Sequence, residues 1–291
     1  MRRILLPVFA AVLAMTPAAI RAQECGSGGF PGSSPAYGPA GRFAFVGTYL
    51  AEVFPGFFEV IWFIAAGTGD GPYPGEISGG GLVLDSPAWS PDGGRIAYSW
   101  TGISVAEIPN LGGYGFELTN GYDTSPTWSR DGSTIAFARL TTGSVCTVAS
   151  QGGSVTTLWP GNSPAWSPTD DLIAYDLGGD IWLGVPSTGP LRRLTDGSMP
   201  TWSPNGRWIA YSRTVDGNTD IWAIAINNGT PVRLTNDPRV DQDPSWSSDG
   251  DTIAFNHGPF APGCIQFLTD LPDTTVGVQP STWSSVKGIY R

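Results

Sequence analysis

Along most of the chain, apolar and polar residues alternate in short runs broken by Gly, Pro, Asp and Ser. A period of two predicts half-buried β-strands rather than helices. The alternation is organised by a repeat: Pro-x-Trp-Ser, a four-residue turn, then Ile-Ala-aromatic. It occurs as Pro87-Ala88-Trp89-Ser90 with Ile96-Ala97-Tyr98, Pro126-Thr127-Trp128-Ser129 with Ile135-Ala136-Phe137, and Pro164-Ala165-Trp166-Ser167 with Ile173-Ala174-Tyr175. It continues as Pro200-Thr201-Trp202-Ser203 with Ile209-Ala210-Tyr211, and Pro244-Ser245-Trp246-Ser247 with Ile253-Ala254-Phe255. A damaged copy, Ser281-Thr282-Trp283-Ser284, precedes Ile289-Tyr290. The Trp-to-Trp spacings are 39, 38, 36, 44 and 37 residues. A period near 40 with strand-like content matches one four-stranded propeller blade.

Each unit is chemically consistent with that reading. Ser90-Pro91-Asp92-Gly93 suits a type I turn, as do Ser129-Arg130-Asp131-Gly132, Ser203-Pro204-Asn205-Gly206 and Ser247-Ser248-Asp249-Gly250. Ser167-Pro168-Thr169-Asp170 lacks the Gly, which predicts a different turn. Beyond the turn, Ile96 and Tyr98 share one strand face and Ala97 takes the other. The bulky face packs into one neighbouring blade, and the small face lets the other neighbour approach. A third strand follows at Asp180-Ile181-Trp182 and Asp220-Ile221-Trp222, and a fourth ends in Leu118-Thr119, Leu194-Thr195 and Leu234-Thr235. The order within a blade is therefore A, B, C, D.

The N-terminal region shows a strand B at Arg42–Val46 and a strand C around Val60-Ile61-Trp62, with no Trp-Ser strand before them. The expected closure takes strand A of that blade from the C-terminus around Trp283. This gives an all-β, six-bladed propeller of four-stranded antiparallel blades, closed by N- and C-terminal strands in one composite blade. Phe43–Phe45 and Ile289-Tyr290 are alternatives for its strand B. Closure removes two sheet edges that would otherwise template aggregation.

The Trp-Ser-Pro-Asp-Gly-x-x-Ile-Ala-Tyr unit resembles the repeat of the TolB-like propellers, a WD-like repeat family. The same repeat builds the non-catalytic propeller of dipeptidyl-peptidase-type serine proteases. The resemblance covers residues 41–291 and is to the propeller alone. TolB carries an α/β domain before its propeller, and the peptidases carry an α/β-hydrolase domain. What it implies is a protein-binding or scaffold module of the cell envelope; the alternative is a lyase- or lactonase-type propeller enzyme with a carboxylate or metal-assisted site at the channel.

Residues 1–22 read as a signal peptide: Arg2 and Arg3, an apolar run from Ile4 to Met15, then Ala18, Ala19 and Ala22. Cleavage is expected after Ala22, or else after Ala18. The apolar run is shorter than the ~20 residues a spanning helix needs, so no transmembrane segment is expected in the mature, periplasmic or secreted chain. Residues 23–40, rich in Gly, Ser and Pro, read as a linker. The signal holds three of the 15 basic residues and no acids, leaving 12 basic against 25 acidic residues and a net charge of −13. That balance argues against nucleic acid. It favours a basic peptide, an envelope or secreted protein partner, or a divalent cation, or else serves solubility alone. A monomer is expected. Of three cysteines, Cys25 and Cys264 are expected to pair and Cys146 to stay a free buried thiol. Cys264 begins strand C of the last whole blade, beside the composite blade to which the linker leads, and Cys146 lies across the ring.

Parts for catalysis are few. The chain has one histidine, His257, one lysine, Lys287, and no Gly-x-Ser-x-Gly elbow. A lone histidine cannot build a usual zinc site. No catalytic residue and no cofactor are predicted, with Ca²⁺ at the channel mouth as the one candidate ion. The suggestive acids are Asp85, Asp123, Asp196, Asp241 and Asp243, each three to six residues before a blade's Trp. They lie where the chain enters strand A, so they either ring one mouth of the channel for a cationic ligand or hold their own turns. A second candidate surface is the insertion between strands B and C of the first unit, with Tyr49, Leu50, Phe54, Phe57 and Phe58. The alternative there is a longer strand pair covered by the linker.

Overall fold

The computed structural model describes residues 30–31, 33–54, 57–68, 75–80, 85–107, 115–227, 229–258, 264–269 and 271. Among them, six four-stranded antiparallel sheets form the blades. The chain opens with β1 (Phe30–Pro31), followed by blade 1: β2 (Ser33–Tyr37), β3 (Arg42–Phe54), β4 (Phe57–Thr68) and β5 (Gly75–Gly80). Blade 2 is β6 (Asp85–Trp89), β7 (Arg95–Ser99), β8 (Ile103–Glu107) and β9 (Phe116–Glu117). Blade 3 is β10 (Asp123–Trp128), β11 (Thr134–Arg139), β12 (Ser144–Ala149) and β13 (Thr156–Pro160). Blade 4 is β14 (Asn162–Trp166), β15 (Ile173–Leu177), β16 (Asp180–Val185) and β17 (Gly189–Asp196). Blade 5 is β18 (Ser198–Trp202), β19 (Trp208–Val215), β20 (Asn218–Ala225) and β21 (Val232–Arg233). Blade 6 joins β22 (Asp241–Trp246), β23 (Ile253–His257) and β24 (Cys264–Leu268) to β1 as its outermost strand. Each innermost strand touches the innermost strands of both neighbours, and β22 touches β2, so the ring is closed.

The alternation of Ile-Ala-aromatic explains the stacking of blades. Ile135 and Phe137 of blade 3 pack on Ala97 of blade 2, and Ile173 and Tyr175 of blade 4 pack on Ala136 of blade 3. Ile209 and Tyr211 pack on Ala174, and Ile253 and Phe255 on Ala210. Ile96 and Tyr98 meet Ala44 of blade 1, and Phe43 and Phe45 of blade 1 meet Ala254 of blade 6. All six junctions are thus one contact repeated, a large side chain over an alanine of the preceding blade. Burying each Ile or aromatic contributes about 1.5–3 kcal/mol, and the alanine lets the sheets approach.

The A–B turns behave as their sequences predict. Gly93, Gly132, Gly206 and Gly250 each donate their N–H to the carbonyl of the Ser three residues earlier. The Ser hydroxyl bonds the Asp or Asn two residues on and accepts an N–H five residues on, as from Arg95 to Ser90 at 2.9 Å. In the turn without Gly, Ser167 Oγ instead accepts the N–H groups of Thr169 and Asp170. These bonds lower the Asp131 carboxyl to about 2, with the Ser129 hydroxyl the largest cause.

Closure differs from the expectation in its parts. Residues 33–37, read as linker, are strand A of blade 1, so no C-terminal strand is needed there. The repeat is present in disguise. Ser34-Pro35-Ala36-Tyr37-Gly38-Pro39 before Arg42-Phe43-Ala44-Phe45 matches Ser86-Pro87-Ala88-Trp89-Ser90-Pro91 before Arg95-Ile96-Ala97-Tyr98, with Tyr for Trp and Gly for Ser. The glycine has a packing cause, because a Cβ on Gly38 would sit 2.4 Å from the Trp89 ring. Strand B of this blade is β3, with Phe43–Phe45. The composite blade is blade 6, whose outer strand comes from the N-terminal side through Phe30↔Ile265 and Pro31↔Cys264. Trp283 and Ile289-Tyr290 lie outside the described residues, as do the signal segment and Cys25. Cys264 is disulfide-bonded and Cys146 is a free buried thiol. No helix among the described residues is long and apolar enough to cross a membrane.

Candidate functional site

The six innermost strands surround a central channel with a cavity of about 710 Å³. Its wall repeats one motif. In every blade the residue before the proline takes a left-handed conformation: Ser34, Ser86, Ser125, Ser163, Met199 and Asp243, with φ between 43° and 56°. A register shift falls at the same point in each A–B pair, so each is a β-bulge. Non-glycine residues adopt this conformation at a cost, which the surrounding structure must repay. Repayment is visible between blades: Met199 N–H donates to Asp176 Oδ2 at 3.3 Å, and Asp243 N–H to Ser212 Oγ at 3.1 Å. Below the bulge, the Tyr37 N–H donates to Ser245 Oγ and the Trp166 N–H to Thr127 Oγ1. Pro35, Pro87, Pro126, Pro164, Pro200 and Pro244 are all buried in the wall.

The five predicted acids do reach the side of the ring where strand A begins, but not as one cluster. Asp123 opens β10 with a fully buried carboxylate, held by Arg139 Nε and Nη2, both at 2.9 Å. That bond raises the pKa of Arg139. Asp196 ends β17, is about half exposed, and accepts from Arg213 Nε at 2.7 Å. Asp241 opens β22, is 1% exposed, and meets His257 Nδ1 at 2.6 Å. Burial raises its pKa, against lowering bonds from Thr235 and His257. Asp85 opens β6 opposite Ser99, and its side chain is outside the description. Of the four whose side chains are described, Asp243 is the one that lines the cavity. Three of the acids thus bind a cation-capable residue at the end of their own blade's strand B or, for Asp196, of the next blade's.

Sequence reasoning missed those partners. Their signal was there in the spacing: Arg139 follows Asp123 by 16 residues, Arg213 follows Asp196 by 17, and His257 follows Asp241 by 16. In blades 3 and 6 these are direct cross-strand pairs, Asp123↔Arg139 and Asp241↔His257. Removing one partner of such a buried pair costs about 3–5 kcal/mol. A neighbouring network continues outward. Arg233 pairs with the buried Asp220, and Thr235 lies between Asp220 and Asp241. Burial raises the Asp220 pKa. His257 is 8% exposed and stands off the channel wall. Among the described residues no three His, Cys, Asp or Glu side chains are grouped as a metal site requires.

The second candidate, the Tyr49–Phe58 insertion, is a hairpin. β3 and β4 have 13 and 12 residues and stay paired from Arg42↔Thr68 to Phe54↔Phe57. The innermost strand β2 reaches only to Val46, and β5 only to Ile61. From Leu50↔Val60 onward the ribbon is therefore two-stranded. At about 3.3 Å per residue it rises beyond the blade on the side where strand A begins. Leu50, Phe54, Phe57 and Phe58 lie on this two-stranded ribbon, and Tyr49, paired with Ile61, lies at its base.

No family model matches the sequence, and no curated protein matches it. Solved structures match in shape. A putative TolB from Agrobacterium tumefaciens superposes with a TM-score of 0.57 at 22% identity, over 65% of this chain and 78% of that one. TolB from Acinetobacter baumannii superposes with a TM-score of 0.60 at 22% identity, over 79% of this chain and 61% of that one. With its closed ring, its A-to-D blades and this likeness, the chain is, in fold, a TolB-like six-bladed β-propeller.

Proposed function

We propose that this chain is an exported propeller of the cell envelope, periplasmic or secreted, that binds a protein partner at its central channel. The observation that carries this reading is the 710 Å³ cavity walled by the innermost strands of all six blades. The N-terminal signal pattern supports export, and the acidic surface supports a partner that presents basic groups there. The fold by itself does not fix a function. The alternative of an enzyme at the channel is not favoured. His257 is bound to Asp241 away from the wall, and Asp123 and Asp196 are engaged by arginines. The described acids supply no grouped set for Ca²⁺. The test is crosslinking capture from envelope extract by the mature chain, beside a variant whose channel is filled by Ser125→Trp and Ser163→Trp. A partner held by the first and lost by the second, with the second still folded by circular dichroism, is the expected result. The same proteins recovered with both would remove the channel as the site.

A further inference from the structure

Strand B of a blade has its inner edge covered by strand A, and in blade 1 that cover stops short. β2 begins at Ser33, opposite Val46, whereas β3 runs on to Phe54. The backbone groups left on that edge follow from the ladder, because residues of an antiparallel strand turn their N–H and C=O to alternate neighbours. The Gly38 N–H donates to the Arg42 carbonyl at 2.8 Å, so Arg42 faces strand A, and every second residue after it does the same. That phase carries on to Val46, Thr48, Leu50 and Glu52. In blade 3 the residue at the place of Thr48 is Leu140, and its N–H still returns to the Tyr122 carbonyl at 2.9 Å. Leu50 and Glu52 lie beyond even that point, and among the described residues no strand pairs with β3 there on its inner side.

A bare strand edge is a template for one more strand, and proteins guard such edges with Lys, Pro or a bulge. Here the register shift comes only between Glu52 and Phe54, and Gly47–Phe54 holds neither Lys nor Pro. The charge is one-sided: Glu52 and Glu59 stand on the ribbon, and no Lys or Arg occurs between Arg42 and Arg95. Two copies joined at this edge would bring ribbons of like charge together, whereas a basic segment would meet opposite charge. On the outer edge of β4, the residues that face outward by the same alternation beyond β5 are Phe58 and Val60, which carry no charge. We propose that the inner edge of β3 at Leu50–Glu52 takes up an extended, basic segment of a partner protein as an added antiparallel strand, with Lys or Arg opposite Glu52. The site stands on the strand-A-start side of the ring and does not require the channel to bind anything.

Fluorescence anisotropy tests it, with the mature chain and a dye-labelled heptapeptide Thr-Lys-Thr-Val-Thr-Val-Thr, whose lysine is to lie opposite Glu52. Methylating the backbone nitrogen of the first valine, which then lies opposite Leu50, should weaken binding about tenfold or more. Methylating that of the threonine after it, whose N–H faces away from β3, should change little. Leu50→Pro should weaken the parent peptide about as much as the first methylation. It leaves the β3–β4 ladder in place, since the N–H it removes does not face β4. Val60→Pro, on the outer edge, should leave binding as it was. Glu52→Lys should reverse the preference between the peptide and its glutamate analogue. The chain filled by Ser125→Trp and Ser163→Trp should bind the peptide like the wild type. Equal effects of the two methylations, no binding of the parent peptide, or loss on Val60→Pro instead of Leu50→Pro overturns the proposal. So does a dimer in sedimentation equilibrium that Leu50→Pro dissolves, which would make the occupant a second copy. Peptide lost from the filled chain but not from Leu50→Pro would put it in the channel, overturning strand addition and leaving the channel reading intact.

Discussion

The junction between blades 3 and 4 and the junction between blades 6 and 1 perform the same task from different residues. At the first, Ala136 lies beneath Ile173 and Tyr175, with the Trp159 ring 5.4 Å from that of Tyr175. At the second, Ala254 lies beneath Phe43 and Phe45, with the Phe43 ring 4.9 Å from Tyr37 and 5.9 Å from Phe267. Both carry the same stitch, a backbone N–H given to a hydroxyl of the preceding strand A: Trp166 to Thr127 at 3.1 Å and Tyr37 to Ser245 at 2.9 Å. The difference is covalent. Blade 3 passes to blade 4 through Gly161 alone. Blades 6 and 1 are far apart in sequence, so their contact must offset the entropy of closing the ring. Closure adds aromatic rings where the other junctions use Ile, and it adds β1 across the joint.

Truncation gives the largest effect. Removing residues 1–37 takes strand A of blade 1 and the outer strand of blade 6, and leaves Ala254 and Phe43 facing water. The cooperative thermal transition should disappear. Removing residues 278–291 should leave it, because six four-stranded blades are complete without them. Calorimetry on both truncations decides. A cooperative melt after the N-terminal cut, or none after the C-terminal cut, would return closure to a C-terminal strand.

Phe45→Ala and Tyr175→Ala compare the two junctions directly. Phe45 is 3% and Tyr175 1% exposed, and each truncation should cost about 3–5 kcal/mol. Urea melts of the two variants should match if closure is packed like any other junction. A clearly smaller loss for Phe45→Ala would mean that the ring opens at this joint before the rest unfolds.

The disulfide should contribute somewhat less. Cys264→Ser is expected to lose about 2–4 kcal/mol, the usual range for a native bridge. Peptide mapping without reduction should place Cys25 on Cys264, since β1 brings the N-terminal side against β24 at Pro31↔Cys264. Cys25 found unmodified by bridging would refute the pairing. Cys146→Ser, across the ring, should leave the closure junction unaffected.

What the chain discloses before folding follows from how it encodes each part. Five blades were legible because Trp, Ile and the turn residues are chosen for packing and turn geometry that recur unchanged. In the sixth, strands B and C were legible, but strand A at Ser33–Tyr37 escaped because Tyr replaced Trp and Gly38 replaced Ser to make room for the Trp89 ring. The acids were legible as positions but not as chemistry. Asp123 and Asp243 occupy similar places before a Trp, yet a cross-strand arginine buries one and a left-handed bulge brings the other to the channel wall. That distinction depends on what stands at the end of strand B, Arg139 in one blade and Asn256-His257 in the other. Replacing Asp123, Asp196 and Asp241 together by Asn is accordingly expected to lower the melting temperature, whereas Asp243→Asn is not.

The smallest effect concerns the tyrosine that marks the closing joint. Tyr37 stands where the other blades have Trp, and burial pushes its phenol up to about 12, with the Asp249 carboxylate of blade 6 adding to the rise. An unfolded tyrosine loses its proton near pH 10. Between about pH 10 and 12 the folded ring therefore holds a proton that the unfolded chain has released, and stability falls as pH rises through that window. Below pH 10 the contribution is fully present. The partial exposure of the ring keeps the effect modest. The junction of blades 3 and 4 has Trp166 at this position but carries its own buried phenol in Tyr175, also raised by burial, so alkali weakens both joints. Absorbance titration at the phenolate band, wild type minus Tyr37→Phe, isolates this residue from the other tyrosines. The expected difference is one tyrosine ionising near 12, shifted downward by Asp249→Asn and further toward 10 by Phe45→Ala. A difference step already at 10 in the wild type would mean that the joint is open to water, and that the stitch from Tyr37 to Ser245 does not hold blade 1 against blade 6.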